Sequence, residues 1–426
     1  MKVSRYVKKV QIDEQNSMLY STLSRQYYIY RNEEDREIKR FLEKINKGEY
    51  SHAEVELFRE LLNKNIILKD EIDEWKKLEF LENAARYQEK TYKMIIYATN
   101  ACNFRCTYCE QPHVAKKLSY EAEERILKLV EQQAKKVSQL EVDWFGGEPL
   151  LEYEKISGMM RKMNKICEKE KCQFIATITT NGYLLDPKRI SELKELNVKC
   201  MQITVDGNKE KHDRQRILAN GKGTFEEIID NIVEAAKAGI TVTLRMNIDE
   251  ENINKVSETL DAIPEELRSN IAISVCNVFQ NKEILSTFSI LKEAIEKGYI
   301  YAERKNRYTH CHACLKNAVV IDTDGAVLLC SNTDNEEKRM GYLGKQGNVC
   351  IERIADFYKL RTITARDNPE CQNCIELPYC IASCKYARLR DNTKCMGRSG
   401  DGLTLEERAL LDYYYDIQKA KLSSEK

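Results

Sequence analysis

The chain has 426 residues, of which 42% are hydrophobic and 32% charged, enough for roughly two to four domains with sizeable cores. Its 68 Lys plus Arg balance 68 Asp plus Glu, so no net field favours nucleic acid or an anionic membrane surface as partner. No apolar run approaches the ~18 residues of a spanning helix, and the start, MKVSRYVKKVQIDEQNS, lacks the apolar core and cleavage site of a signal peptide. A soluble, cytoplasmic protein without a membrane segment is expected.

In chain order, residues 1–90 contain no cysteine and read as three short strands (Tyr6–Ile12, Met18–Thr22, Gln26–Tyr30), two charged helices (Glu33–Lys47, His52–Asn63) and a linking helix over Ile72–Lys90. From Lys93 strands and helices alternate. The strands are Met94–Thr99, Glu141–Phe145, Phe174–Thr179, Met201–Val205, Thr241–Met246 and Ile271–Val275. The helices are Ala122–Lys136, Tyr153–Glu168, Pro187–Leu196, Phe225–Ala238, Asn254–Ala262 and Thr287–Lys297. Such βα units predict a parallel sheet, as a partial (β/α)6 barrel or an open sheet, with ligands at the strand C-termini. From Tyr308 to Arg398 periodicity fades and cysteines become dense, which suits a domain held by metal; a final helix spans Leu403–Lys421. The expected domains are 1–90, 91–305 and 306–426.

Sixteen cysteines need a reason, because cytosolic thiols rarely form disulfide frameworks. Cys102, Cys106 and Cys109 form C-x3-C-x2-C directly after the first barrel strand. Three thiolates on one loop suit three corners of a [4Fe–4S] cube and leave the fourth iron open. A zinc site would need a further ligand, for which His113 is near. Cys311, Cys314, Cys330, Cys371, Cys374, Cys380, Cys384 and Cys395 form a second group, and two zinc ribbons are the competing reading there. Cys167, Cys172, Cys200, Cys276 and Cys350 fit neither pattern and are expected to be small core hydrophobes.

The C-x3-C-x2-C loop with Tyr108 before its last cysteine resembles the defining loop of the radical S-adenosylmethionine (SAM) superfamily. Gly146-Gly147-Glu148-Pro149 after strand two resembles its GGEP motif. Thr179-Thr180-Asn181-Gly182 ends strand three. Thr204-Val205-Asp206-Gly207, followed by His212, Asp213 and Arg216, resembles the peptide-modifying branch. The resemblance implies that the open iron chelates SAM. It further implies cofactor contacts from Tyr108, Gly146, Gly147, Glu148, Pro149, Thr180, Asn181, Thr204 and Asp206, with Arg216 on the SAM carboxylate and Arg214 as its rival. His212 is expected to support this loop.

The second cysteine group resembles the SPASM domain of peptide maturases. That likeness implies two auxiliary [4Fe–4S] clusters, one on Cys311, Cys314, Cys330 and Cys384, the other on Cys371, Cys374, Cys380 and Cys395. His310 or His312 are alternatives to Cys311. The first 90 residues resemble the winged-helix element that binds the leader of a ribosomally made precursor peptide as an added strand.

Together these resemblances imply an enzyme that makes a 5′-deoxyadenosyl radical, takes hydrogen from a precursor peptide and closes a thioether or carbon–carbon crosslink. A flavodoxin or ferredoxin would donate the electrons. Formylglycine formation of the anaerobic sulfatase-maturing type, peptide epimerisation and a non-catalytic zinc-binding protein are the alternatives.

Overall fold

The computed structural model describes residues 1–49, 55–111, 113–278, 280–302, 311–331, 338–380, 383–391, 393, 395 and 401–424. The N-terminal strands are β1 (Lys2–Val3), β2 (Val7–Gln11), β3 (Asn16–Ser21), β4 (Gln26–Arg31) and β5 (Ile67–Leu68). β2, β3 and β4 form an antiparallel sheet in that order, and β1 pairs with β5. Helix α1 (Asp35–Lys47) buries Ile38, Phe41 and Ile45, spaced along one face, and stops at Gly48 with φ of 75°. With α2 (Val55–Asn63) it covers Leu19 and Tyr30 of the small sheet. The other face, Val10, Met18 and Tyr20, packs against Leu405 and Ala409 of the last helix, Leu405–Ser424. The linking helix α3 (Glu74–Arg86) is N-capped by Asp73, whose carboxylate accepts from the N–H groups of Trp75 and Lys76.

The next strands are β6 (Thr91–Thr99), β7 (Gln139–Gly146), β8 (Gln173–Thr180), β9 (Val198–Thr204), β10 (Thr241–Ile248) and β11 (Ile271–Asn277). All pair in parallel in sequence order, alternating with helices such as α4 (Tyr120–Ala134), α5 (Tyr153–Lys169), α6 (Pro187–Glu195), α7 (Lys209–Gln215) and α8 (Phe225–Lys237). This is the expected α/β architecture, a partial barrel of parallel strands. Alternation explains it: Leu140, Val142 and Trp144 of β7 are buried against the helices, while Glu141, Asp143 and Phe145 face the half-open side. Each fully buried aliphatic side chain of that core contributes about 1.5–3 kcal/mol.

The sheet goes further than the sequence led one to expect. β12 (Ile300–Tyr301) adds in parallel to β11, and β13 (Ala318–Ile321) lies parallel beside β6. β14 (Ala326–Leu328), β15 (Arg339–Leu343) and β16 (Val349–Ile351) follow antiparallel, giving eleven strands in all among the described residues. The region expected to be irregular therefore begins as an extension of the barrel sheet. Its strands are three to five residues long, and every residue of β13 and β14 is buried, so no alternation shows. Beyond Ile351 short helices and 3-10 turns take over.

The unassigned cysteines also divide. Cys167 and Cys172 are in the core as expected, but Cys200, Cys276 and Cys350 are only half-buried. Cys200 and Cys276 lie on strands β9 and β11, and Cys350 lies on the terminal strand β16 of the sheet. No helix among the described residues is long and apolar enough to cross a membrane.

Candidate functional site

The loop carrying Cys102, Cys106 and Cys109 leaves the C-terminal end of β6 and is pinned along its length. Arg105 N–H donates to Ile217 O at 2.8 Å, Thr107 N–H to Gln215 O at 3.0 Å, and Ala219 N–H to Asn103 O at 2.8 Å. Phe104, 1% exposed, anchors it from below and meets Tyr183 edge-on at 6.0 Å. The glycines of the second motif explain how the end of β7 fits beside this loop. A Cβ on Gly146, whose φ is 134°, would lie 2.1 Å from Thr99 O, and one on Gly147 would lie 2.3 Å from Ala101 O. The two glycines thus admit the backbone that leads into the cysteines, and Gly147 and Glu148 N–H groups donate to Thr99 O and Ala101 O at 2.9 and 2.8 Å.

Glu148 is fully buried. Its carboxylate accepts from Thr180 Oγ1 (2.7 Å), Asn181 N (2.7 Å) and Leu150 N (3.0 Å), tying the end of β7 to the end of β8. Pro149, buried, opens the 3-10 turn that Glu148 caps. Burial pushes the Glu148 carboxyl up, and those three donors oppose the shift. Asn181 Nδ2 donates to Asn103 Oδ1 at 2.8 Å and lies 4.0 Å from Cys102 Sγ, so β8 also touches the cysteine loop.

Tyr108 forms a second buried hub. Its hydroxyl donates to Asp206 and accepts from Arg216 Nη1 (2.6 Å) and Asn247 Nδ2 (3.2 Å). Asp206, 0% exposed, also accepts from Asn247 N at 2.8 Å. Burial raises the Asp206 carboxyl, with Arg216 opposing. Arg216 is buried over the Phe104 ring, and its Nε has no hydrogen-bond partner. Arg214, the rival, is mostly exposed beside Glu251. His212 accepts from Asp206 N–H on Nδ1 (3.2 Å), which leaves Nε2 to donate to Thr224 Oγ1 (3.1 Å); Thr224 in turn donates to Arg216 O at 2.7 Å. His212 therefore braces the loop in its neutral form, and burial holds it well below the ordinary histidine value. Thr204, half-buried, ends β9 opposite Arg245 in the register. Asn247 and Asn103 escaped the sequence reading; a polar residue at the C-terminal end of a barrel strand was the signal for Asn247.

Cys102 and Cys106 are half-buried and Cys109 exposed, all three free thiols. Burial pushes Cys102 to about 11, while Arg216 counters the rise at Cys106. Cationic iron would reverse that cost by binding thiolate, so the donor set fits a cluster. His113 Nε2 lies 3.3 Å from Cys109 Sγ, yet among the described residues no three His, Cys, Asp or Glu side chains close on one metal ion.

The C-terminal thiols act on one another's protonation, although among the described residues no three of them close on one metal ion. Burial pushes Cys311 to about 12, and Cys314, Cys384 and Cys330 add to the rise as close neighbours. Burial and Cys374 push Cys380 to about 12, with Arg388 opposing and Cys395 adding, while Cys371 feels Cys374 and Cys395. His310 lies outside the described residues. His312 lines a cavity of about 190 Å³ with Tyr92, Met340 and Arg361.

The radical SAM superfamily model matches residues 96–263, which span the cysteine loop, the Glu148 clasp and the Tyr108 hub. Residues 96–263 are a radical SAM domain. Curated relatives of that domain include the Fe-coproporphyrin III synthase of Methanosarcina barkeri, 27% identical over 39% of this chain and 40% of that protein. The GTP 3′,8-cyclase of a Sulfurovum species is 29% identical over 49% of this chain and 63% of its own length. The chain thus spans about two fifths to three fifths of those relatives, and the likeness covers the radical SAM portion. A solved structure, native anSMEcpe with bound AdoMet and a Cp18Cys peptide, is 18% identical with a TM-score of 0.59, covering 79% of this chain and all of that one. At that identity it shows a shared fold.

Proposed function

We propose that this chain is a radical SAM enzyme that modifies a ribosomally made precursor peptide. The observation that carries the reading is the rigid three-thiol loop. Cys102, Cys106 and Cys109 are offered at the barrel mouth by backbone bonds to residues 215–219, the Gly146-Gly147 approach and the Tyr108 hub. When bound there, a [4Fe–4S] cluster and SAM supply reductive C–S cleavage and a 5′-deoxyadenosyl radical. Glu148, Thr180 and Asn181 hold the neighbouring strand ends, Thr204 and Arg216 are the proposed SAM contacts, and the half-open barrel face shields the reacting carbon from water.

The Cys311/Cys314/Cys330/Cys384 and Cys371/Cys374/Cys380/Cys395 groups would hold two auxiliary clusters. Strand β4 is an edge of its sheet among the described residues, with Ile29 41% exposed, and would take a leader peptide as an added strand. The product on this reading is a thioether or carbon–carbon crosslink, with a flavodoxin or ferredoxin as electron donor. The peptide carried by anSMEcpe is in keeping with a peptide substrate; oxidation of a Cys or Ser to formylglycine is the second reading.

Anaerobic reconstitution tests the proposal. About twelve irons, 5′-deoxyadenosine on reduction, and a mass loss of two hydrogens in a co-encoded peptide support it. Zinc without SAM cleavage overturns it, and conversion of a Cys or Ser to an aldehyde selects the second reading.

A further inference from the structure

We propose that the short helix Lys385–Arg390 sets the reduction potentials of the two auxiliary centres, Lys385 acting on the Cys311/Cys314/Cys330/Cys384 group and Arg388 on the Cys371/Cys374/Cys380/Cys395 group. The inference rests on the auxiliary-cluster reading above. The helix begins directly at Cys384, whose Sγ accepts from Ala387 N at 3.4 Å. Lys385 is next in the chain and 0% exposed; its Nζ stands 3.6 Å from Glu82 Oε1 of α3. Glu82 also holds Arg86 (2.5 Å) and Arg366 (3.0 Å). The helix packs on the turn His312–Cys314. Burial pushes the Cys314 thiol up, and Lys385 and then Arg86 oppose that rise.

Arg388, three residues on and 1% exposed, addresses the other group. Its Nε donates to Ser383 Oγ at 2.9 Å, and its guanidinium hydrogen-bonds the Cys371 thiol. It opposes the effect of burial at Cys371 and at Cys380 alike. One short helix thus presents one buried cation to each thiol group.

Reduction adds one electron to a centre that is already anionic with its four thiolates. A cation fixed nearby in a low-dielectric interior stabilises the more negative state and raises the potential. No bond or proton changes at Lys385 or Arg388; in the experiment the electron comes from dithionite. Glu82 acts in the opposite sense on the first group alone. These are positioning residues for charge, not ligands.

The experiment is an EPR-monitored redox titration with dithionite of the anaerobically reconstituted full chain, with iron counted in every sample. The signal lost in a Cys371→Ala/Cys374→Ala variant marks the second group. Lys385→Met is expected to move only the first group's midpoint to more negative potential, and Arg388→Met only the second's. Lys385→Arg restores the first towards wild type. Glu82→Gln, which keeps the side chain's shape and an oxygen to accept from Thr364 Oγ1 (2.8 Å in the wild type), moves the first group to more positive potential. Full iron with all midpoints unchanged in Lys385→Met, Arg388→Met and Glu82→Gln would overturn the proposal. About four irons in the wild type, rather than about twelve, would instead remove the auxiliary-cluster reading, and this inference with it.

Discussion

The two cysteine regions are built in opposite ways. The Cys102–Cys109 loop hangs from an eight-to-nine-residue pair of parallel strands and is fastened by Glu148 and by the Tyr108–Asp206–Arg216 hub. Among the described residues, the Cys371–Cys395 stretch is built of 3-10 turns and helices of four to six residues. Its apolar support comes from elsewhere in the chain: Tyr6, Leu23 and Leu78 surround Leu377 and Cys380, and Thr22 Oγ1 donates to Ile375 O at 2.7 Å. The guanidinium groups of Arg25 and Arg408 each stand under 6 Å from the ring centre of Tyr379. A site preformed by backbone should survive without its cofactor, whereas a site lacking regular structure should depend on it.

The largest test of that contrast is chemical. Cys102→Ala is expected to take SAM cleavage to background and to lower the iron count by about four, with the fold kept. A variant that still cleaves SAM would break the comparison at its stronger end. Next, iron chelation is expected to speed amide exchange in residues 365–391 and in β2–β4 at least tenfold, while β7 and β8 stay protected. Equal deprotection of both would erase the distinction. Glu148→Gln should cost about 1–3 kcal/mol in unfolding free energy, because three buried donors lose a charged acceptor. Ile29→Asp should raise KM for the full-length precursor about tenfold, roughly 1.4 kcal/mol, and leave a leaderless core peptide unaffected.

The smallest effect is in pH. His212 is held neutral in the fold, well below its ordinary value of 6.5. Between those values the unfolded chain binds the extra proton, so this stability is present above pH 6.5 and lost as the pH falls below it. Thermal melting at pH 5 to 7 should show that slope, and His212→Gln should flatten it.

Much of this was legible because periodicity and spacing are local. Alternation located β6 to β11 to within three residues at every end, and the cysteine spacing marked both thiol regions. β13 to β16 were missed because strands of three to five residues, buried throughout at first, carry no period. The GGEP segment was noticed, but its glycines serve a backbone contact with Thr99 and Ala101 that no local pattern announces. Glu82, Lys385 and Arg388 are ordinary charges in sequence. They become informative only when residues some three hundred positions apart meet in the interior.

The central claim is that the Cys102/Cys106/Cys109 loop holds a cluster with one iron open to SAM. The direct measurement is the EPR spectrum of the dithionite-reduced protein with and without SAM. The account predicts that SAM changes one cluster signal, and that this signal is missing in Cys102→Ala. A spectrum that SAM leaves unchanged, with wild-type iron fully loaded, would contradict it.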